Sequence, residues 1–153
     1  GDKMNSDIAS YIKNKHGLVI GEHTAEKIKM ELGTALRVDD PETMDVRGRD
    51  VATGMPKQIT VNENEIEEAL HDTLEQIVSA AVNVLETIPP ELASDIIDRG
   101  IMLTGGTSLL KGVDQLFSAR LKVPVVVSQD PLDNVAKGAG EMLERMQKTE
   151  RKK

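Results

Sequence analysis

The residues best placed to do chemistry lie between positions 100 and 112. Ile101, Met102 and Leu103 form an apolar run too short for a helix and suited to a strand buried on both faces. Gly105 and Gly106 then break the chain. Thr107 or Ser108 is placed to cap a helix carrying Leu109, Leu110, Val113, Leu116 and Phe117 at three- and four-residue spacing. Glycines have no Cβ, so a ligand can lie against the main chain, and the first-turn N–H groups of a following helix are donors for polar ligand atoms. Such a turn suits contact with a nucleotide. The same letters also make a plain tight turn in many α/β proteins, and the pattern alone leaves both readings open.

Other chemistries lack their residues. His16, His23 and His71 are far apart, none has a second ligand at metal spacing, and each is expected at the surface. There is no cysteine, hence no disulfide, thiol nucleophile or Cys-ligated zinc, which fits a reducing cytoplasm. No Gly-x-Ser-x-Gly elbow and no Gly-x-x-x-x-Gly-Lys-Ser/Thr phosphate loop occurs. The acidic residues fall at helix starts and outer faces, so neither catalytic nor metal-ligating residues are assigned. A formal net charge of −7, with no basic stripe interleaved with aromatics, argues against a nucleic-acid partner. No apolar run approaches the roughly 20 residues that span a bilayer, and the start is not a signal peptide, so any membrane link must come through another segment or protein.

The elements that must position the glycine turn follow from spacing. A chain of 153 residues can bury one core, and with one Phe, one Tyr and no Trp that core must be aliphatic. Residues 2–15 set Met4, Ile8, Tyr11 and Ile12 on one helix face, which His16-Gly17 ends. Residues 18–21 are expected as an apolar connector. Thr24 is the expected N-cap of a helix with Ala25, Ile28 and Leu32 inward, and Glu26, Lys27, Lys29 and Glu31 on a solvated outer face. A loop over 34–43 leads to two antiparallel strands holding Met44 and Val46, then Ile59 and Val61, with residues 47–56 as a ragged connection. Residues 1–61 are thus expected as a small α+β unit.

Asn62 and Glu65 have capping-box spacing. Ile66, Leu70, Leu74, Ile77, Val78, Ala81, Val82 and Leu85 continue a helical stripe that Pro89-Pro90 stops. Pro90 suits the first turn of a short helix through Leu92, Ile96 and Ile97. Residues 123–127 form a second apolar strand, parallel to the first because a helix connects them. Asp133 opens a last helix with Val135, Ala136, Ala139, Met142, Leu143 and Met146 inward, before a basic tail over 148–153.

Six blocks of residues together carry a family resemblance. They are Gly-Asp-Lys-Met at 1–4, Ile-Gly-Glu-His-Thr-Ala-Glu-Lys-Ile-Lys at 20–29, Val-Arg-Gly-Arg-Asp at 46–50, Pro-Pro-Glu-Leu-Ala-Ser-Asp-Ile at 89–96, Arg-Gly-Ile-Met-Leu-Thr-Gly-Gly at 99–106 and Asp-Pro-Leu-Asp-Asn-Val-Ala-Lys-Gly at 130–138. In this order the chain resembles the C-terminal half of the MreB family of bacterial actin-like proteins. The resemblance implies an α/β fold, half of an actin-like, ribonuclease-H-like ATPase with a small α+β subdomain inserted. Residues 1–61 would be a subdomain IIB-like unit, 62–132 the second part of subdomain IIA, and 133–153 the C-terminal helix of subdomain IA with its basic tail. It places both Asp-x-Gly phosphate hairpins, the residues that order magnesium and the attacking water, and the membrane-binding segment upstream of residue 1. Asp98-Arg99-Gly100 has the hairpin letters but leads into a strand.

By the same resemblance Gly105, Gly106 and Thr107 contact the adenosine and phosphate side of ATP, and Glu26 and Lys29 line the wall near ribose and base. Many relatives carry a third glycine where Thr107 stands, and Met30 replaces a basic residue found in other superfamily members. The implied function is the ATP-binding part of a cytoskeletal filament, with magnesium as a companion of ATP in the whole family. That filament sits at the cytoplasmic face of the membrane and guides cell-wall synthesis in rod-shaped cells, with itself, the membrane adaptor RodZ and the wall-elongation machinery as partners. This chain alone is not expected to hydrolyse ATP. A superfamily sugar or acetate kinase and a nucleotide-free adaptor module are the alternatives. Two parallel strands flanked by amphipathic helices leave a sheet edge and a helix face unpaired. The isolated chain is therefore expected to self-associate or to be loosened over 62–132, which light scattering and thermal melting check; a compact monomer with sharp cooperative melting is the contrary result.

Overall fold

The spacing of Met4, Ile8 and Ile12 is realised in α1, Asp2–His16, where all three are buried. The structure, a computed structural model, describes residues 2–128, and these fall into two compact units, one ending at Thr73 and the other beginning at Leu74. The helix expected from Asp133 and the tail after it lie outside the described residues.

In the first unit, α1 ends at Gly17, whose N–H donates to the Lys13 carbonyl at 3.0 Å. The run expected as a connector instead supplies a strand, β1, Leu18–Val19, antiparallel to β2, Thr43–Asp50. Two residues are too few for alternation to register in sequence. The next helix, α2, Glu22–Leu32, buries Ala25, Ile28 and Leu32 as the spacing predicts. It starts earlier than Thr24 suggests. The extended Gly21 carbonyl accepts the first helical bond, from Ala25 N–H at 3.0 Å, so Thr24 already lies inside the first turn and no side chain caps the helix.

Strand β2 pairs with β3, Pro56–Asn62, in antiparallel register from Thr43↔Asn62 to Arg49↔Pro56. The Arg47-Gly48-Arg49-Asp50 stretch, expected as connection, is therefore strand. Gly48 is there because β1 crosses close beside it: a Cβ at this position would lie 2.4 Å from the Val19 carbonyl oxygen. The hairpin tip closes through Asp50, whose carboxylate accepts from the Thr53 hydroxyl at 2.8 Å and the Thr53 N–H at 3.0 Å. The Thr53 hydroxyl, then its N–H, and then Lys57 hold the Asp50 carboxyl below the usual carboxylate range.

Asn62 and Glu65 form the capping box their spacing predicts. Asn62 N–H donates to Glu65 Oε2 at 3.0 Å and Glu65 N–H donates to Asn62 Oδ1 at 3.1 Å. They open α3, Glu63–Thr87, the 25-residue helix of the apolar stripe. Ile66 and Leu70 are buried in the first unit, and Leu74, Ile77, Val78 and Ala81 in the second. Val82 and Leu85 are half-buried, where the stripe runs out.

In the second unit, α4, Pro90–Arg99, buries Ile96 and leaves Leu92 and Ile97 exposed. Gly100 ends it, and β4, Ile101–Leu103, follows, buried throughout. It pairs in parallel with β5, Val125–Val127, as expected for strands joined through a helix. That helix, α5, Val113–Leu121, buries Val113, Phe117 and Leu121 and packs against β5. Arg120 clamps it to α3 through two bonds to the Glu75 carboxylate, at 2.6 and 2.7 Å.

Gly48→Ala is expected to lower the stability of the first unit by about 1–3 kcal/mol, because its methyl group must displace the backbone of β1. Gly21→Ala, with nothing within 4 Å of the added carbon, is expected to change it by less than about 0.5 kcal/mol. Urea unfolding followed by circular dichroism compares the two.

Candidate functional site

The candidate turn is built by the end of β4. After Leu103 the chain reaches Gly105 with φ +83° and ψ −170°, a conformation in which any Cβ clashes with the backbone. Only glycine holds the turn without strain. Gly105 is exposed, so its main chain is open to a ligand. A single 3-10 turn follows over Gly106–Leu109. Ser108 holds the turn closed, its N–H donating to the Gly105 carbonyl at 3.2 Å and its hydroxyl donating to the same oxygen.

This corrects the helix expected to run from Thr107 through Phe117. Leu110 is extended (φ −70°, ψ 134°) and ends the 3-10 turn, and α5 begins at Val113 with Gly112 as its N-cap. Neither Thr107 nor Ser108 caps α5. Both are buried, with Ser108 committed to the turn and the Thr107 carbonyl accepting from Leu110 N–H at 3.2 Å. Leu109, placed inward by helical spacing, is exposed. Asp98 and Arg99 occupy the last turn of α4 and lead through Gly100 into β4, so the Asp-x-Gly letters there make no hairpin.

The other named residues belong to the first unit. Glu26 and Lys29 are one helical turn apart on the outer face of α2, Glu26 exposed and Lys29 half-buried. Met30 beside them is 75% exposed, unusual for a methionine in the middle of a helix. Among the described residues, no three His, Cys, Asp or Glu side chains gather closely enough to hold a metal ion.

Two grooves in the first unit were not anticipated. One, about 340 Å³, lies between α2 and β2 and is lined by Thr24, Lys27, Met44, Asp45, Val46 and Arg47. A larger one, about 490 Å³, runs between α1 and α3 beside Tyr11, Glu68, His71 and Asp72. There the Tyr11 hydroxyl donates to Glu68 Oε2 at 3.0 Å, and His71 lies 3.4 Å from Glu67. His16 is part-buried rather than at the surface, with Nε2 2.8 Å from Glu65 Oε1. The signal for the larger groove is Tyr11 itself, one polar tip within an otherwise aliphatic face.

The MreB/Mbl protein family matches residues 1–151. The cell shape-determining protein Mbl of Bacillus subtilis (strain 168) is 50% identical over 153 residues, all of this chain and 46% of that protein. The cell shape-determining protein MreB of Escherichia coli (strain K12) is 49% identical over 144 residues, 94% of this chain and 42% of that protein. Among solved structures, MreB 5 of Spiroplasma citri bound to AMPPNP superposes with a TM-score of 0.80 at 29% identity, covering 98% of this chain and 45% of the other. The chain thus spans less than half the length of the relatives it matches. Among the described residues, no helix is long and apolar enough to cross a membrane.

Burial first, and then the hydrogen bond to Glu68, push the Tyr11 hydroxyl from its ordinary value of 10.0 up to about 12. The unfolded chain therefore loses this proton before the folded one does. Stability from this group is complete below pH 10 and falls as pH rises towards 12. As the only tyrosine, Tyr11 can be titrated directly by phenolate absorbance, with a midpoint expected near 12. Glu68→Gln is expected to lower that midpoint, and Tyr11→Phe to remove the alkaline loss of stability.

Proposed function

Because the chain belongs to the MreB/Mbl family, we propose that it is the ATP-binding C-terminal portion of an actin-like filament protein that determines rod cell shape by guiding cell-wall synthesis. Its α/β fold is that of the actin-like proteins. In this reading residues 1–61 correspond to subdomain IIB, 62–132 to the second part of subdomain IIA, and 133–153 to the C-terminal helix of subdomain IA with the tail. The whole protein would polymerise with itself at the cytoplasmic face of the membrane and engage RodZ and the elongation machinery.

The observation that carries the nucleotide reading is the exposed, side-chain-free main chain at Gly105, on a fold shared with a protein solved with AMPPNP. The residues fit such a ligand. Without a Cβ at 105 or 106, the flat edge of an adenosine or a phosphate oxygen can reach the backbone. Buried Thr107 would contribute its N–H rather than its hydroxyl. On α2 the Glu26 carboxylate is suited to accept from ribose hydroxyls, and the Lys29 ammonium to donate to ribose or base. Magnesium would accompany the triphosphate, which supplies most of its ligands alongside water. No general base or attacking water is assigned to this chain, which is why it should bind ATP without turning it over.

Isothermal titration of ATP against the 153-residue chain and its Gly106→Trp variant tests the reading. The indole should weaken binding at least tenfold, about 1.4 kcal/mol. Glu26→Ala and Lys29→Ala should each weaken it less, and phosphate release should stay at background. No affinity for ATP, or equal affinity in wild type and Gly106→Trp, would overturn the reading in favour of a nucleotide-free adaptor.

A further inference from the structure

Strand β2 is matched along its length on one side only. On the β3 side the register runs without a break from Thr43 to Arg49, whereas on the β1 side only Arg49 and Asp50 have partners. The hydrogen bonds identify the groups left over. Asp50 N–H donates to the Met55 carbonyl at 2.8 Å, and the Glu42 carbonyl accepts from Glu63 N–H at 3.0 Å, so the even-numbered residues face β3. Val51 N–H donates to the Gly17 carbonyl at 2.8 Å, so the odd-numbered residues face β1. Facing alternates along an antiparallel strand. Asp45 and Arg47 therefore turn their N–H and C=O groups towards the β1 side, beyond the point where β1 ends. Gly21, which would stand opposite Arg47 if β1 continued, is instead the N-cap of α2. No strand among the described residues meets this edge.

The open edge borders the groove of about 340 Å³ between α2 and β2, with Thr24 and Lys27 on one wall and Met44, Asp45, Val46 and Arg47 on the other. A bare edge is a template for another chain unless a helix covers it, and here α2 lies alongside without closing the gap. The charges beside it are uneven. The Asp45 carboxylate already accepts from the Thr60 hydroxyl at 2.9 Å. Arg47 uses only Nε, which donates to Gln58 Oε1 at 2.9 Å, and its two terminal nitrogens remain available. Neither Lys27 nor Arg47 forms an ion pair among the described residues. That is notable in a chain with 26 acidic side chains against 19 lysines and arginines.

We propose that this groove is a docking site for an extended acidic peptide of a partner protein, which takes the lane that β1 leaves at Val19. Its main chain bonds to the N–H and C=O groups of Asp45 and Arg47, and its carboxylates bond to Lys27 and to the free end of Arg47. Each half of the recognition follows from a different observation. The alternating main-chain groups select an extended backbone, because a lone anion or a helix has no matching row of donors and acceptors. The two cations select acidic side chains, because a basic or wholly apolar segment leaves both without a counter-charge. Neither the glycine turn nor Glu26 or Lys29 lines the groove, so peptide and nucleotide binding are separable.

The test titrates a labelled short peptide of alternating Glu and Thr against the 153-residue chain, followed by fluorescence anisotropy. Saturable binding is expected. N-methylation of one alternate set of peptide amides, either all Glu or all Thr, should weaken it at least about tenfold, and methylation of the other set much less. A Lys-for-Glu peptide should not bind. Lys27→Glu should weaken binding by about tenfold or more while leaving ATP titration unchanged. Hydrogen exchange at the Asp45 and Arg47 amides should slow at least about tenfold on saturation, with the Val46 amide, which faces β3, as the internal control. If Lys27→Glu fails to fold, the peptide variants and the exchange rates still decide. No saturable binding, or equal binding by the Lys-for-Glu peptide, overturns the proposal. So does indifference to both methylation patterns or unchanged exchange at Asp45 and Arg47, either of which means ionic adhesion only.

Discussion

Four consecutive residues, 62–65, carry the polar interactions on which the first unit depends. Here an edge strand becomes the longest helix, and a helix start exposes N–H groups that must find acceptors. Asn62 and Glu65 satisfy one another. Glu63, buried to 3%, accepts from Glu42 N–H at 2.8 Å and returns its own N–H to the Glu42 carbonyl at 3.0 Å. Asn64 brackets Val38 in the same way, accepting from its N–H at 2.9 Å and donating to its carbonyl at 3.0 Å. Glu65 keeps a second oxygen for His16 at the end of α1. The loop before β2, the end of α1 and the start of α3 are thus held at one point. The positive end of the α3 dipole makes carboxylates the suitable acceptors.

That junction also shows how far residue types alone can carry an interpretation. The capping box was legible because its two residues are three apart and bond each other. The partners of Glu63 and Asn64 come from 21 and 26 residues away, and no local pattern announces them. Periodicity found the interior faces of α1, α2 and α3 because each buries a stripe several turns long. It failed over 107–117, where Leu109 and Leu110 fit the helical spacing by accident and an extended Leu110 divides the segment. It failed again at β1, too short to alternate, and at Gly48, whose glycine looked like a turn residue but answers to the backbone of the neighbouring strand.

The candidate site residues were legible to different degrees, for different reasons. The glycine pair stands out because a strand must end there and Gly105 takes a backbone conformation closed to other residues. A structural demand and a ligand-facing role coincide at that position, so its residue type alone cannot separate them. Glu26 and Lys29 carry no such signature. Their charges are those of any solvated helix face, and their selection rests on the family pattern at 20–29. Met30 is the informative neighbour, since a solvated face gains nothing from an exposed thioether.

The two units differ in how completely each satisfies its own backbone. In the first, a three-stranded sheet pairs its central strand on both sides, and the hairpin is closed at its tip by Asp50 and Thr53 and at its base by the bonds between Glu42 and Glu63. Its outer strands are short or partly exposed, so water can take up their unpaired groups. In the second, among the described residues, the fully buried strand β4 and the partly exposed strand β5 each have one neighbour, the other. Hydrophobic cover on both faces of β4, with one lateral partner among the described residues, is the burial pattern of an interior strand. An isolated sheet would place its most buried strand between two others. Among the described residues β4 pairs with β5 alone, and it is β5, through Val126, that meets solvent.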